Sequence, residues 1–177
     1  MIIILAKVKS LVINIRPIQA QDVLPAKRVI YRVAHQLFRD SRPLEESITD
    51  LEAQGRLQDM DDFRRVYFEK DGIFLVITDE ERVIGTGAVL KIDQETCELK
   101  RFWLLFEYHG QGVGYRLMRE LLAFARQKGY KRIRLETDRD EQSRAYAFYK
   151  RLGFYDIPRY GGNEDDVAME MVLQDRR

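Results

Sequence analysis

The chain has 177 residues and a formal charge of +1, with 45% apolar and 33% charged residues. This size allows one ordinary domain with a sizeable core, and the near-neutral charge excludes the basic excess expected of a nucleic-acid-binding protein. A single cysteine, Cys97, rules out a disulfide within the chain, and neither it nor the two distant histidines show the spacing of a metal site.

The beginning of the chain predicts an extension followed by a strand and a helix. Residues 1–10 are apolar but interrupted by Lys7, too early for a membrane span, and they lack the charged region of a signal peptide. We expect an irregular extension or an extra edge strand there, in a cytoplasmic protein. The β-branched residues 11–16 predict a strand that ends at Pro17, and Asp22 is a candidate N-cap for a helix to about Phe38.

Helical and strand patterns then alternate. Two short helical regions are predicted over residues 45–54 and 61–68, with a loop over residues 55–60 between them. Three strands with short connections follow, which predicts an antiparallel meander. These strands are expected at residues 73–78, 83–90 and 96–105.

The apolar period changes from 2 to 3.6 after residue 112, which predicts a helix ending at Gly129. A strand over residues 131–137 then implies a parallel pair with a crossover helix. A last helix over residues 141–152 stops at Gly153, and two strands close the sheet. We therefore expect one α+β domain over residues 1–177, with a mixed, mostly antiparallel central sheet flanked by helices. The closing strands are predicted at residues 154–157 and 167–172.

A glycine-rich turn over residues 109–114 (HGQGVG) follows a strand and opens a helix. Glycine lets the backbone turn tightly and approach a ligand, and the first amides of a helix point outward at its positive end. The turn therefore predicts a phosphate site, although a turn that only leads a strand into a helix remains an alternative. The G-x-G-x-G spacing after antiparallel strands argues against a dinucleotide fold, and no G-x-x-x-x-G-K-S/T sequence of a P-loop occurs.

A second motif, A-x-x-x-Y-x-x-x-G-F, runs from Ala145 through Tyr149 to Gly153 and Phe154. Together with the glycine turn it resembles the GCN5-related N-acetyltransferase (GNAT) superfamily, which has Q/R-x-x-G-x-G/A at the turn. The resemblance covers residues 13–173 and is specific over residues 98–154. It implies the acyl-CoA N-acyltransferase fold and direct attack of a primary amine on acetyl-CoA, the co-substrate, without a metal.

The sequence departs from this family's pattern at three positions. His109 stands where arginine or glutamine is usual, Phe106 replaces a common proline, and Gln142 occupies a position often held by a cofactor-contacting asparagine. We therefore expect the turn to work through its main-chain amides, and the side chain at position 109 to matter least.

The resemblance also implies roles for individual residues. The fourth and fifth strands should splay apart, often at a bulge, so that freed main-chain groups bond the pantetheine arm and the thioester oxygen. Tyr149 matches the general acid for the leaving thiolate. Glu98 and Glu136 are candidates for the base that takes the amine's proton, directly or through water, and a proton wire without a single base is the alternative. The residues expected to bind the cofactor are Phe102, Trp103, Leu104, His109, Gly110, Gln111, Gly112, Val113, Gly114, Tyr115, Gln142 and Tyr149.

No motif identifies the acceptor, which we expect to be a small-molecule or peptide amine. We expect no nucleic-acid or membrane partner, and a homodimer is allowed. Residues 163–166 (NEDD), three of which are acidic, are interpreted as a surface loop that is able to attract a cationic amine. A non-catalytic CoA-binding or regulatory module and a nucleotide-binding domain remain the competing functions. The resemblance puts the acceptor pocket at the first two helices and the last hairpin, which include Tyr31, His35, Phe38, Tyr67 and Tyr160.

Overall fold

Within residues 11–173, which the computed structural model describes, seven strands form a single mixed sheet. The extension or edge strand expected at residues 1–10 lies outside the described residues. The strands are β1 (Ile13–Pro17), β2 (Ile73–Asp79), β3 (Arg82–Lys91), β4 (Thr96–Leu104), β5 (Arg132–Asp138), β6 (Tyr155–Ile157) and β7 (Asp166–Val172). Their order across the sheet is β1-β2-β3-β4-β5-β7-β6.

Helices flank this sheet through their apolar faces. The helices are α1 (Val23–Leu37), α2 (Leu44–Ala53), α3 (Gln58–Asp61), α4 (Phe63–Val66), α5 (Val113–Gln127) and α6 (Ser143–Leu152). Helix α1 packs on β3 and β4, α5 on β2 and β3, and α6 on β5. Helix α5 has the expected amphipathic pattern and buries Leu117, Leu121 and Ala125. None of the helices within residues 11–173 is long and apolar enough to cross a membrane.

The strand pairing confirms the mixed sheet and shows that two central strands, β4 and β5, pair over only part of their length. Strands β2 to β4 form the predicted antiparallel meander, and β1 pairs antiparallel with β2. Strands β4 and β5, which α5 connects, pair directly in parallel. The last pair in this short ladder is Glu98 with Arg134. Strand β7 pairs along the whole of β5. Beyond Glu98, β4 and β5 therefore separate, as the resemblance implies.

Two local predictions are wrong. Asp22 does not cap α1, because its carboxylate instead accepts hydrogen bonds from the Arg16 guanidinium and from the Gln19 N–H. Residues 55–60 were expected to be a loop and 61–68 a helix. The chain instead forms two single turns, α3 and α4, separated by Asp62 with non-helical φ −121° and ψ 48°. This break lets the side chains on both sides of it reach the core, so tertiary burial overrides the local pattern.

Candidate active site

A cleft of about 540 Å³ lies beside the end of β4, within the size range of small-molecule sites. Its walls are the last residues of β4, the glycine turn, the beginning of α6 and the C-terminal half of α1. The two sequence motifs therefore meet at one cavity. The residues expected to bind a cofactor that line it are Phe102, Trp103, Leu104, His109, Gly110, Gly112, Gly114, Tyr115 and Gln142.

Gly110 and Gly112 give the turn its shape. Their φ values, +74° and +76°, lie in the left-handed region that favours glycine, and a Cβ at either position would meet no atom within 4 Å. The N–H of Arg116 makes the first hydrogen bond of α5, to the Gly112 carbonyl, so the N–H groups of residues 113–115 precede the helical ladder. The turn is thus an open cradle of N–H donors at the positive end of a helix, which suits a phosphate group.

The side chain of His109 connects this turn to β4. Its Nε2 donates to the carbonyl oxygen of Leu104 at 3.0 Å, and its ring lies 5.1 Å from the Phe106 ring. The hydrogen bond fixes the turn against the strand, a structural role that the sequence analysis did not predict. It also engages the Leu104 carbonyl, one of the main-chain groups that the resemblance implies are free to bind the cofactor.

Strand β4 carries the bulge that the resemblance implies. Gly87 of β3 faces two residues of β4, Arg101 and Phe102. Arg101 has a φ of +53°, and the Thr86 hydroxyl donates to its carbonyl at 2.7 Å. A bulge redirects the main chain and leaves part of it unpaired, here beside the segment where β5 no longer pairs with β4.

A partly buried ionic network anchors Arg101. Its guanidinium donates to both carboxylate oxygens of Asp59, at 3.1 and 2.6 Å, and the Tyr67 hydroxyl donates to the same carboxylate. Burial opposes the charge of Asp59, but the hydrogen bonds and charge of Arg101 outweigh it and lower the pKa of Asp59. The segment after α2 thereby holds the bulge in place.

Tyr149 lies behind the wall of the cleft. Its side chain is buried, and its ring contacts those of Phe102, Phe148 and Phe154. Phe102 and Phe148 line the cleft, whereas Tyr149 is not among the lining residues. Burial raises the pKa of the Tyr149 phenol above its ordinary range, so the hydroxyl keeps its proton at neutral pH.

The two candidate bases, Glu98 and Glu136, lie on one face of the sheet. Glu98 is in register with Arg134, and Glu136 follows Arg134 by two residues, so the three side chains share a face. The connection between β6 and β7 covers both carboxylates. The Tyr160 hydroxyl donates to Glu98 Oε1 at 3.1 Å, and the Gly161 N–H donates to Glu136 Oε1 at 2.8 Å. Neither carboxylate lines the cleft.

The remaining predicted cofactor residues differ in their side-chain contacts. Gln142 lines the cleft, and its Oε1 accepts from the Thr137 hydroxyl at 2.9 Å, which fixes the amide group. Gln111 and Val113 do not line it. The Gln111 side chain donates to the Glu107 carbonyl at 2.8 Å, and Val113 is buried in the core. These two residues belong to the turn through their main chain.

Several residues of the cleft are not among those expected to bind the cofactor. Arg144 and Arg151 stand seven residues apart on α6 and therefore share a helical face, a pattern that could have been found from the sequence. Val33 and Leu37 belong to the apolar stripe of α1, which does not distinguish a cleft wall from a core contact. The other residues missed are Phe106, Tyr108, Glu141, Ser143, Ala145 and Phe148.

The five residues expected near an acceptor do not line this cleft. Tyr31 and Tyr67 are buried, and their hydroxyls donate to Glu52 and Asp59. The His35 ring bonds the Arg42 carbonyl at 2.7 Å, and Phe38 is exposed. Tyr160 alone of the five contacts a candidate catalytic group, Glu98.

A larger cavity of about 740 Å³ lies between α1 and the turn that joins β2 to β3. Each of its four arginines pairs with a carboxylate, and Glu80 and Glu81 also line the cavity, so it is not a positively charged site for an anion. The pairs are Arg16 with Asp22, Arg28 with Glu45, and Arg32 and Arg82 with Glu107. Nowhere in the described part of the chain do three or more histidine, cysteine or acidic side chains cluster as metal ligands.

Comparison with known proteins gives consistent matches. The family model "Acetyltransferase (GNAT) family" matches residues 32–154. N-acetyltransferase 8B of Homo sapiens is 37% identical over 102 residues, which cover 54% of this chain and 44% of that protein. The chain thus spans less than half the length of this relative.

Solved structures match almost the whole chain. An acetyltransferase from Streptococcus agalactiae has a TM-score of 0.76 at 24% identity, covering 91% of this chain and 98% of that one. A PaiA N-acetyltransferase from Thermoplasma acidophilum, in complex with coenzyme A, has a TM-score of 0.73 at 22% identity, covering 90% and 98%. At these identities the two structures establish the fold, and they confirm the fold class expected from the sequence.

Proposed function

This chain belongs to the acetyltransferase (GNAT) family, and we propose that it transfers an acetyl group from acetyl-CoA to a primary amine. The observation that carries the proposal is the cleft, where the glycine turn, the bulged end of β4 and the beginning of α6 meet. A curated relative named as an N-acetyltransferase supports it. The acceptor we propose is a small-molecule or peptide amine.

The residues of the cleft fit coenzyme A. The open space over Gly110 and Gly112, with the N–H groups of residues 113–115, suits the pyrophosphate. The apolar side chains of residues 102–104 suit the pantetheine arm. Acetyl-CoA, when bound, supplies the thioester whose acetyl group is transferred. The coenzyme A in the Thermoplasma acidophilum protein supports this choice of cofactor.

The side chains and main chain then have separate roles. A main-chain N–H beside the bulge is directed at the thioester oxygen and stabilises the negative charge that develops there. Removal of one such donor from other enzymes raises the activation free energy by about 3 kcal/mol. Holding the amine against the thioester contributes further. A carboxylate, Glu98 or Glu136, accepts the proton of the attacking amine directly or through water, and the phenol of Tyr149 donates a proton to the departing sulfur.

One observation favours the alternative of a CoA-binding module without catalysis, namely that Tyr149 is buried and does not line the cleft. Thiol release from acetyl-CoA over a panel of primary amines separates the two functions. Amine-dependent release supports the acetyltransferase, and binding of CoA without release for any amine supports the module. Thermal stabilisation by NAD or ATP but not by CoA would replace both with a nucleotide-binding domain.

Substitution of Tyr149 by phenylalanine tests the role of the phenol. We expect kcat to fall about tenfold with CoA affinity nearly unchanged. This is below the 100-fold often lost with a general acid, because a thiol with a pKa of about 8.5 is already a good leaving group. Steady-state kinetics and calorimetric titration with CoA measure the two quantities.

Tyr146→Phe is the matched control for this substitution. It removes a phenol from the same helix, but that hydroxyl bonds Asp156 at the surface. We expect its kcat to stay within twofold of the parent. Equal kcat in the parent and in Tyr149→Phe would remove Tyr149 from the chemistry, provided that single-turnover rates are also equal, because product release then does not mask the step.

A further inference from the structure

We propose that Tyr160 and Gly161, here called the strap, position Glu136 as the proton acceptor of the reaction, with Glu98 as the anchor of the strap. This inference rests on the proposed acetyl transfer. The strap belongs to residues 158–165 between β6 and β7. Tyr160 bonds a residue of β4 and Gly161 bonds a residue of β5, so the strap bridges the two strands where they begin to separate.

The positions of the two carboxylates along the strands favour Glu136 over Glu98 as the proton acceptor. Glu98 is level with Arg134, and Glu136 is two residues further in the direction of the bulge at Phe102. With a rise of about 3.3 Å per residue, Glu98 lies about 13 Å before Phe102 and Glu136 about 7 Å before it, measured along the strands. Glu136 is therefore the carboxylate nearer to an amine at the bulge, from which it would accept a proton through water.

The free oxygens of the two carboxylates point to the same assignment. Both oxygens of Glu98 are engaged, Oε1 by the Tyr160 hydroxyl and Oε2 by Lys100 Nζ at 3.3 Å. Glu136 accepts the Gly161 N–H at Oε1, and within the described residues Oε2 has no hydrogen-bond partner. Glu136 is therefore held in place and still has an oxygen with which to accept a proton.

Gly161 allows this contact because a side chain there would displace the Glu136 carboxylate. A Cβ at Gly161 would clash with both carboxylate oxygens of Glu136. At the next residue, Gly162, a Cβ would meet no atom within 4 Å. Neither glycine is among those with positive φ, so the requirement at Gly161 comes from close approach rather than from backbone conformation. The chain thus provides a substitution and its control at adjacent positions.

Tyr160 is fixed as a hydrogen-bond donor. Its ring lies 5.7 Å from the Arg134 guanidinium, which also pairs with Glu170 at 2.7 Å. Burial and the neighbouring Glu98 carboxylate raise the pKa of Tyr160 above its ordinary range, so the hydroxyl keeps its proton. The charged and titratable groups around the two carboxylates are Lys100 on β4, Arg134 on β5 and Tyr160 on the strap.

Kinetics of Gly161→Ala against Gly162→Ala test the proposal. We expect Gly161→Ala to lower kcat about tenfold, the effect of a misplaced base, with CoA affinity within about twofold. Its thermal stability should stay near that of the parent, so that the loss is confined to kcat. Gly162→Ala should match the parent in all three quantities, whereas a merely structural defect at Gly161 would lower kcat, CoA affinity and thermal stability together.

Two further variants keep the test decisive if Gly161→Ala folds poorly. Tyr160→Phe keeps the ring on Arg134 but removes the anchor, and we expect a smaller fall in kcat with CoA affinity again nearly unchanged. In the parent, the Gly161 amide proton donates to a carboxylate and should resonate downfield of the Gly162 amide proton, and Glu136→Gln should move the Gly161 resonance upfield. This resonance reports the strap without any catalysis.

The outcomes separate the strap from the proposed function. An absence of acetyl transfer to every amine, with a Gly161 resonance that responds to Glu136→Gln, contradicts the function and leaves the contact with Glu136 intact. Acetyl transfer with equal kinetics in Gly161→Ala and Gly162→Ala, or a Gly161 resonance that does not respond to Glu136→Gln, overturns the strap proposal.

Discussion

Gly112→Asp is expected to weaken coenzyme A binding about 100-fold, equivalent to about 2.7 kcal/mol at 25 °C. Gly112 has a φ of +76° and opens α5, with no atom within 4 Å of an added Cβ. An aspartate there brings a negative charge into the space proposed for the pyrophosphate. Two like charges about 4 Å apart repel by about 1 kcal/mol in water and about 4 kcal/mol near a protein surface. Calorimetric titration with CoA measures the loss.

Gly129→Asp is the control for backbone strain. Gly129 has a φ of +84°, and it likewise has no atom within 4 Å of an added Cβ, but it follows the other end of α5. A non-glycine residue in this conformation costs about 1–2 kcal/mol at either position, so both variants should lose thermal stability, and Gly129→Asp should lose more because an aspartate is favoured at the N-terminus of a helix and disfavoured at its C-terminus. Only Gly112→Asp should lose affinity. Equal CoA affinity in the two variants would mean that the phosphates bind elsewhere.

The second large effect is expected at Asp59, which holds the bulge through Arg101. Asp59→Ala should lower the free energy of unfolding by about 3 kcal/mol, the lower end of the loss when one partner of a buried ion pair is removed. The Arg101 guanidinium would remain largely buried, with 24% of its side chain exposed, and Tyr67 would lose its acceptor. Urea unfolding at neutral pH measures the change, and kcat should fall with it because the bulge loses its anchor.

Asp62→Ala provides the comparison, since Asp62 pairs with Arg65 on the surface, where their side chains are 51% and 73% exposed. Removal of such a pair changes stability by less than about 1 kcal/mol. A loss at Asp59 no larger than that at Asp62 would contradict the anchoring role of the buried pair.

The same network should make stability depend on pH. The pKa of Asp59 is lowered in the folded protein, so its contribution is present above the ordinary aspartate range and is lost as pH falls through the folded value. The stability difference between the parent and Asp59→Ala should therefore be constant near neutral pH and shrink below about pH 4. Urea unfolding repeated at several acidic pH values measures this difference. A gap that stays constant into strong acid would show that the charge of Asp59 is not what stabilises the bulge.

The parts of this protein that were predicted correctly have causes close together in sequence. The glycine turn could be predicted because Gly110 and Gly112 have positive φ. This is a local requirement that favours glycine, and glycine can be recognised in the sequence. The meander and the crossover helix followed from short connections and from the change of hydrophobic period. The family resemblance supplied the gap and the bulge.

What the sequence did not reveal depends on contacts between distant residues. Asp59 and Arg101 are 42 residues apart, and only the folded chain brings them together. Gly161 has no local signature, since its requirement arises from Glu136, 25 residues earlier. For Tyr149 the motif indicated the residue and its role but not how deeply its side chain is buried. Packing against Phe102 and Phe148 places the side chain behind the wall of the cleft.

The most direct measurement is the fate of a labelled acetyl group. The parent protein is incubated with acetyl-CoA labelled in the acetyl carbon and with each amine of the panel, and the products are separated and identified by mass spectrometry. Acetyl transfer predicts label in an acetylated amine, in amounts equal to the thiol released and absent without protein. Label recovered only as free acetate or as unreacted acetyl-CoA, in a protein that binds CoA, would contradict the assignment as an acetyltransferase for those amines.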